Sequence, residues 1–387
     1  MIKISKIEIV NYRSCIKTSI DVQDNLTTLI GINGVGKSNI LNSLLLLKKI
    51  NRNRFFHQEI IQETLKHTGL KLFLTIDKIS YTLKSDIYIE TDENNLDDVL
   101  YAEIFLKKSK DKTQDWRPIP IDLFSYVERL KIINKPFNDR KIQDEYLKSE
   151  EGQIAIQIVD FLLSISYYSA TQFADPTRCP VSISIQETEI QGIKNRESHS
   201  MFIYDLYSSY KSENKSFIKY VNIINKNGIG LIENIKFTEH KYTELNNRTV
   251  ITPIFEIDGQ RLSPNQLSEG TFKTLALIFY VLNDKSELLL IEEPEVCVHH
   301  GLLNSVIALI KQQSKEKQII ISTHSDFVLD KLKPENIILV KKDIQKGTLA
   351  DKLSKTMSKD DYSALKEYLK TSGNLGEYWK EGGFENE

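Results

Sequence analysis

Residues 27–42 read TTLIGINGVGKSNILN: β-formers, a glycine-rich octapeptide, then the start of a helical pattern. Gly31–Ser38 matches G-x-x-x-x-G-K-[ST] after an expected strand and before an expected helix, which is the setting the motif needs. The glycines let the backbone turn its amides inward onto a β-phosphate. Lys37 would reach the β- and γ-phosphates, and the Ser38 hydroxyl would bind Mg²⁺. Asn33, Gly34, Val35, Gly36 and Asn39 are the remaining expected nucleotide contacts. Asn33 stands where G-x-G-x-x-G needs its second glycine, so the dinucleotide fingerprint is excluded.

A phosphate loop alone hydrolyses nothing; it needs a metal-organising acid and a group that aligns water. Residues 288–300, LLLIEEPEVCVHH, offer carboxylates at the end of an apolar strand. Alternation along that strand would send Glu292 and Glu293 to opposite sides. Glu292 would then hold the Mg²⁺ shell with Ser38, and Glu293 would polarise the attacking water as general base. The same stretch also invites a transition-metal reading. However, His299 and His300, adjacent at the start of a helix, diverge by about 100° and make a poor chelate for zinc. STHSD at 322–326 places His324 just past the next buried strand, where it would reach the γ-phosphate and orient the water.

The 387 residues are long enough for two or three domain-sized units. A net charge of -2 gives no global attraction to nucleic acid or anionic membrane. Three cysteines without a CxxC fit a reducing compartment. The opening residues carry no signal peptide, and the longest apolar runs are too short to span a bilayer, so a cytoplasmic protein with no membrane partner is expected. Strands are expected at 3–10 and 26–31, followed by a β-meander between about 70 and 107. Residues 115–165 read as helical, and 166–170 as a short strand. The stretch 264–340 alternates helix and strand as a parallel sheet does. The expected domains are 1–112 (phosphate loop and meander), 113–229 (helical insertion with the short core strand at 166–170), 230–345 (the second half of the core) and 346–387 (a helical tail).

QLSEGTFKTLALI at 266–278 completes a set: phosphate loop, LSEG, a strand ending in two glutamates, and a histidine after the next strand. With this set the chain resembles the ABC-type ATPases of the SMC/RecF/OLD class, which belong to the AAA family ATPases. KIEIVNYRSC at the start is similar to that family's first strand and its N-[FY]-[RK]-S element. LLLIEEPEVCVHHGLL is similar to its E-E-P-E-x-x-L-H-P element, with Val298 and His300 where Leu and Pro are usual. STHSDFVLD is similar to its S-T-H-S-P-F element. The resemblance covers about 1–45 and 262–330. It implies an α/β fold, an ABC-type P-loop ATPase head with a mixed sheet, a β-meander subdomain and an inserted helical lobe or short arm.

It also implies roles that the residues alone do not give. Ser268, Glu269 and Gly270 would form the signature that caps ATP held by a partner subunit in a head-to-tail homodimer or a higher oligomer. Arg13 would contact the nucleotide, and Gln172 would contact the metal and water unless SATQFADP is only a structural corner. His299 would belong to the dimer-contact segment. Only about 60 residues follow His324, too few for an appended Toprim nuclease, and no coiled-coil arm is visible. The pattern resembles the stand-alone ATPases of bacterial anti-phage defence systems, which control a separately encoded nuclease or toxin. The alternative is a RecF-like repair ATPase that binds DNA through basic clusters such as Lys48, Lys49, Arg52 and Arg54, or Lys107, Lys108, Lys110 and Lys112. A transporter subunit is disfavoured, because LSEGT stands where LSGGQ would be.

Overall fold

Leu26–Ile30, the strand that delivers the phosphate loop, is buried at every residue, as expected of a strand covered on both faces. The structure, a computed structural model, describes residues 1–50, 64–91, 98–109, 115–133, 144–186, 198–212, 215–242, 248–296, 298, 300–371, 373–382 and 384. In chain order its strands are β1 Ile2–Tyr12, β2 Cys15–Asp21, β3 Leu26–Ile30, β4 Thr64–Ile76, β5 Ile79–Thr91, β6 Asp98–Lys108, β7 Arg117–Pro118, β8 Ser166–Ser169, β9 Ile183–Gln186, β10 Asn234–Tyr242, β11 Arg248–Ile257, β12 Gln260–Leu262, β13 Leu288–Glu292, β14 Gln318–Thr323, β15 Ile337–Asp343 and β16 Gly347–Lys352. The helices are α1 Lys37–Ser43, α2 Leu46–Ile50, α3 Asp122–Ile133, α4 Asp144–Lys148, α5 Glu150–Ser164, α6 Ser198–Lys211, α7 Lys215–Ile224, α8 Glu269–Asn283, α9 His300–Gln313, α10 Asp326–Leu329, α11 Leu353–Thr356, α12 Lys359–Thr371 and α13 Leu375–Lys380.

The chain folds into two units. The first comprises Met1–Tyr167, Ser286–Ile291 and Ser314–Glu387; the second comprises Tyr168–Lys285 and Glu292–Gln313. The first unit holds an antiparallel sheet of order β2-β1-β4-β5-β6-β7. The expected meander is therefore present, and it includes β1. In β1 the buried positions change phase, from Ile2 and Ile4 to Ile7 and Ile9. A register shift between Ile4 and Lys6 against β4 supplies the extra residue, and a one-residue bulge is what moves side chains to the other face.

A mixed sheet runs in the order β16-β15-β3-β14-β13-β8. In its centre β3 lies parallel to β14, with Ile30 opposite Thr323, and parallel to β15, with Ile30 opposite Leu339. β15 then turns back on β16 in an antiparallel hairpin. The turn is formed by Asp343, whose Oδ1 accepts from the Gln345 and Lys346 amides, and by Gly347 at φ 75°. The tail from 346 was expected to be helical, but it begins with this strand. GTLADK is too short and polar to stand out as one until it pairs with IILVKKD.

The last helix of the tail, α13, docks on α10, which directly follows His324 and Ser325. The Gly376 amide donates to Asp330 Oδ1 at 2.6 Å, and Lys380 pairs with Asp326. The second unit contains the four strands β9 to β12, with β11 central, and helices α6 to α9. No described helix is long and apolar enough to cross a membrane. A Cβ at Gly376 would overlap the Asp326 carbonyl and the Asp330 carboxylate. Gly376→Val should therefore cost about 1–3 kcal/mol through overpacking, read as a lower midpoint of thermal unfolding. An unchanged midpoint would show that α13 does not dock there.

Candidate functional site

In the first unit the loop Gly31–Gly36 leaves β3 and enters α1 through glycines at φ 83° (Gly34) and 107° (Gly36), values that a residue with a Cβ rarely adopts. Ile32, Asn33 and Gly34 are exposed at its crest, while Val35 is buried. Lys37 is buried, and its ammonium donates to the Gly31 carbonyl at 2.8 Å and the Ile32 carbonyl at 3.0 Å. A buried ammonium needs such partners, since an unpaired one costs several kcal/mol. Ser38 and Asn39 are half-buried on the first turn of α1.

Arg13 sits in the β1–β2 turn with φ 49° and stacks over the Tyr12 ring at 5.5 Å. Its guanidinium donates to Asn39 Oδ1 at 3.3 Å, so the structure ties it to the first turn of α1. The register of β3 and β14 puts Thr323 level with Ile30. His324 and Gly31 therefore leave neighbouring parallel strands at the same height. His324 is exposed, and the segment after it is fixed by Ser325, whose amide donates to Thr323 Oγ1 and whose hydroxyl caps α10.

In the second unit Ser268 is the N-cap of α8. Its hydroxyl oxygen accepts from the Thr271 amide and lies 2.8 Å from Thr271 Oγ1. Ser268 and Glu269 are exposed, and Glu269 pairs with the buried Lys273 at 2.7 Å. The Gly270 carbonyl accepts from Thr274 Oγ1. Gln172 lies in a 3-10 turn, Ala170–Phe173, where its Oε1 accepts from the Ser169 amide in a capping box. The strand β13 ends at Glu292, and Glu293 has φ 46°. Glu293 thus lies just past the strand, where the alternation expected from the sequence no longer sets its direction. A left-handed conformation at a non-glycine residue such as Glu293 costs of order 1–3 kcal/mol. Cys297, His299 and the side chain of His300 lie outside the described residues, as do the side chains of Lys49, Arg52, Arg54, Lys110 and Lys112.

Around α8 the second unit builds an aromatic core from Tyr168, Phe173, His199, Phe202, Phe272 and Tyr280. The hydroxyls of Tyr168 and Tyr220 donate to the α8 carbonyls of Lys273 and Leu275. No motif marked this core, although the helical spacing of aromatics at 198–220 was its signal. Tyr280 donates to Asp205 Oδ2 at 3.0 Å, yet burial still pushes the Asp205 carboxyl up to about 6.

A family model described as AAA ATPase domain matches residues 2–329. The Chromosome partition protein Smc of Methanocaldococcus jannaschii is 28% identical over 170 residues, which cover 38% of this chain and 14% of that protein. The crystal structure of an SmcHead bound to the C-winged helix domain of ScpA superposes with a TM-score of 0.56 at 16% identity, covering 90% of this chain and 96% of that one. The SMC head domain from Thermotoga maritima gives 0.45 at 13%, over 90% and 98%.

Because Asp205 is held protonated above the ordinary carboxylate value of about 4, the folded state binds the extra proton between about pH 4 and 6. Stability from this group is full below that window and is lost as the pH rises through it. Asp205→Asn should flatten this fall in a thermal-unfolding series and gain roughly 1–2 kcal/mol at pH 7. Parallel wild-type and variant curves would show that Asp205 does not titrate there.

Proposed function

The chain belongs to the AAA ATPase domain family and has the fold of an SMC-type ABC ATPase head, so it hydrolyses ATP; from this premise we propose that it works as a switch in which two copies close on ATP and reopen on hydrolysis. The observation that carries this reading is the surface placement of the signature. Ser268 and Glu269 stand exposed at the start of α8, where ATP held by a second copy in a head-to-tail dimer would meet them.

Lys37 would exchange its loop carbonyls for the β- and γ-phosphates, with Asn33 to Gly36, Ser38, Asn39 and Arg13 around the nucleotide. Ser38 and Glu292 offer hard oxygen donors suited to Mg²⁺. Bound there, Mg²⁺ would neutralise charge on the β- and γ-phosphates. Gln172 would join that shell only by giving up its bond to the Ser169 amide. Glu293 would take the proton from the attacking water, and His324 would orient that water.

The solved head that shares this fold was bound to a domain of another protein. That supports a role in which the closed heads hold a separately encoded effector. The effector we propose is a nuclease or toxin of a bacterial anti-phage defence system, acting in the cytoplasm. A second reading, a DNA-binding repair ATPase, draws on the Smc relative and on the half-buried Lys107 and the exposed Lys108 at the end of β6.

Glu293→Gln should lower ATP turnover by about 100-fold or more and accumulate an ATP-dependent dimer in light scattering. Turnover at the wild-type rate would remove Glu293 as the base. Titrating duplex DNA with and without ATP at several salt concentrations separates the two partner readings. Tight binding that weakens steeply with salt favours repair, and co-purification of a neighbouring gene product without DNA binding favours the effector.

A further inference from the structure

Behind the phosphate loop five residues form one hydrogen-bonded chain whose direction is fully determined. Thr348 on β16 is entirely buried, and its hydroxyl donates to the Val35 carbonyl at 2.9 Å. That hydroxyl has a single proton, already used, so in the 2.7 Å contact between Ser14 Oγ and Thr348 Oγ1 the donor is Ser14. Ser14 Oγ in turn accepts from Asn39 Nδ2 at 2.7 Å. Asn39 Oδ1 accepts from Arg13, which closes the run Arg13 to Asn39 to Ser14 to Thr348 to Val35.

The end of this chain is held by backbone as well. The Thr348 amide donates to the Ser14 carbonyl at 2.8 Å, and Thr18 Oγ1 donates to the Thr348 carbonyl at 2.6 Å. The loop also approaches so closely that a Cβ on Gly36 would overlap both Thr348 Oγ1 and Ser14 Oγ. The last glycine of the motif is therefore required by this contact as well as by its φ.

We propose that Thr348, with Ser14, is a positioning residue for nucleotide binding, because it fixes the peptide between Val35 and Gly36. A trans peptide points its carbonyl and its N–H in opposite directions. Holding the Val35 carbonyl against the β15–β16 hairpin turns the Gly36 N–H away from the hairpin, toward the space in which a phosphate is bound. The same chain reaches Arg13 at its other end, so the β1–β2 turn and the tail hairpin set the loop's shape together.

This inference rests on the ATP-binding reading of the loop, so the experiment measures that reading separately. ATP affinity is taken by titration calorimetry, and KM and kcat from steady-state turnover, for wild type, Lys37→Ala, Thr348→Val, Thr348→Ser and Ser14→Ala, each with its thermal midpoint. Thr348→Val keeps shape and removes the donor, leaving a buried carbonyl unsatisfied. It should raise Kd and KM roughly 10-fold while kcat at saturating ATP stays within about 3-fold. Thr348→Ser should restore wild-type values, and Ser14→Ala should raise Kd about 3-fold.

Wild-type affinity in Thr348→Val overturns the positioning role, as does an equal loss in Thr348→Ser. If Thr348→Val fails to fold, Ser14→Ala decides: an unchanged Kd overturns the proposal. Absence of ATP binding by the wild type would sink the nucleotide reading and this inference with it, whereas loss only in Lys37→Ala sinks the inference alone.

Discussion

The register of β3 between β14 and β15 is the constraint on which the first unit's chemistry depends. Ile30 lies opposite Thr323 on one side and Leu339 on the other. Every residue of β3 and β14 is buried, so a slip of one position would carry side chains to the wrong face along the whole strand. Three separate pieces of chain are thereby delivered to one edge at one height. They are the phosphate loop after Ile30, His324 after Thr323, and the part of the β15–β16 hairpin that lies beyond Leu339 and returns with Thr348. The loop's precision is inherited from apolar burial several residues away.

This explains which parts were legible in the sequence. The phosphate loop, the LSEG turn, the paired glutamates and STHSD are local patterns, each complete within a few consecutive residues. Continuous apolar runs such as LLLIE and QIIIST announce doubly covered strands. The meander was legible from its alternation, and the bulge in β1 was not, because one extra residue leaves the composition unchanged. The least legible functional residue was Thr348. It lies in GTLADK, a polar hexapeptide with no motif, and acquires meaning only when β16 pairs with β15 and brings it more than three hundred positions back to Val35. Ser14 and Asn39 gain their connection in the same way, through contacts that no periodicity records.

In the second unit the order is built differently. α8 carries nine buried residues, Phe272 to Phe279 and Val281, and is held by two tyrosine hydroxyls on its carbonyls. Its first turn is thus anchored from within while Ser268 remains outside. Phe173 follows Gln172 directly and stacks on Tyr168 at 5.3 Å, so the short turn bearing Gln172 shares the aromatic core that grips α8. The interior of the unit thus fixes the first turn of α8 while leaving its N-cap at the surface.

Finally, consider Lys37, whose ammonium rests on the Gly31 and Ile32 carbonyls. Two of the ammonium's three donors are engaged this way, so an anion that takes either of them over gains only the difference between the old bond and the new one. A small monoanion offers little more than the carbonyls already do, whereas a polyphosphate chain brings several charges at once. On the ATP-binding reading, this geometry would favour a ligand dense in charge over the weak anions that abound in solution.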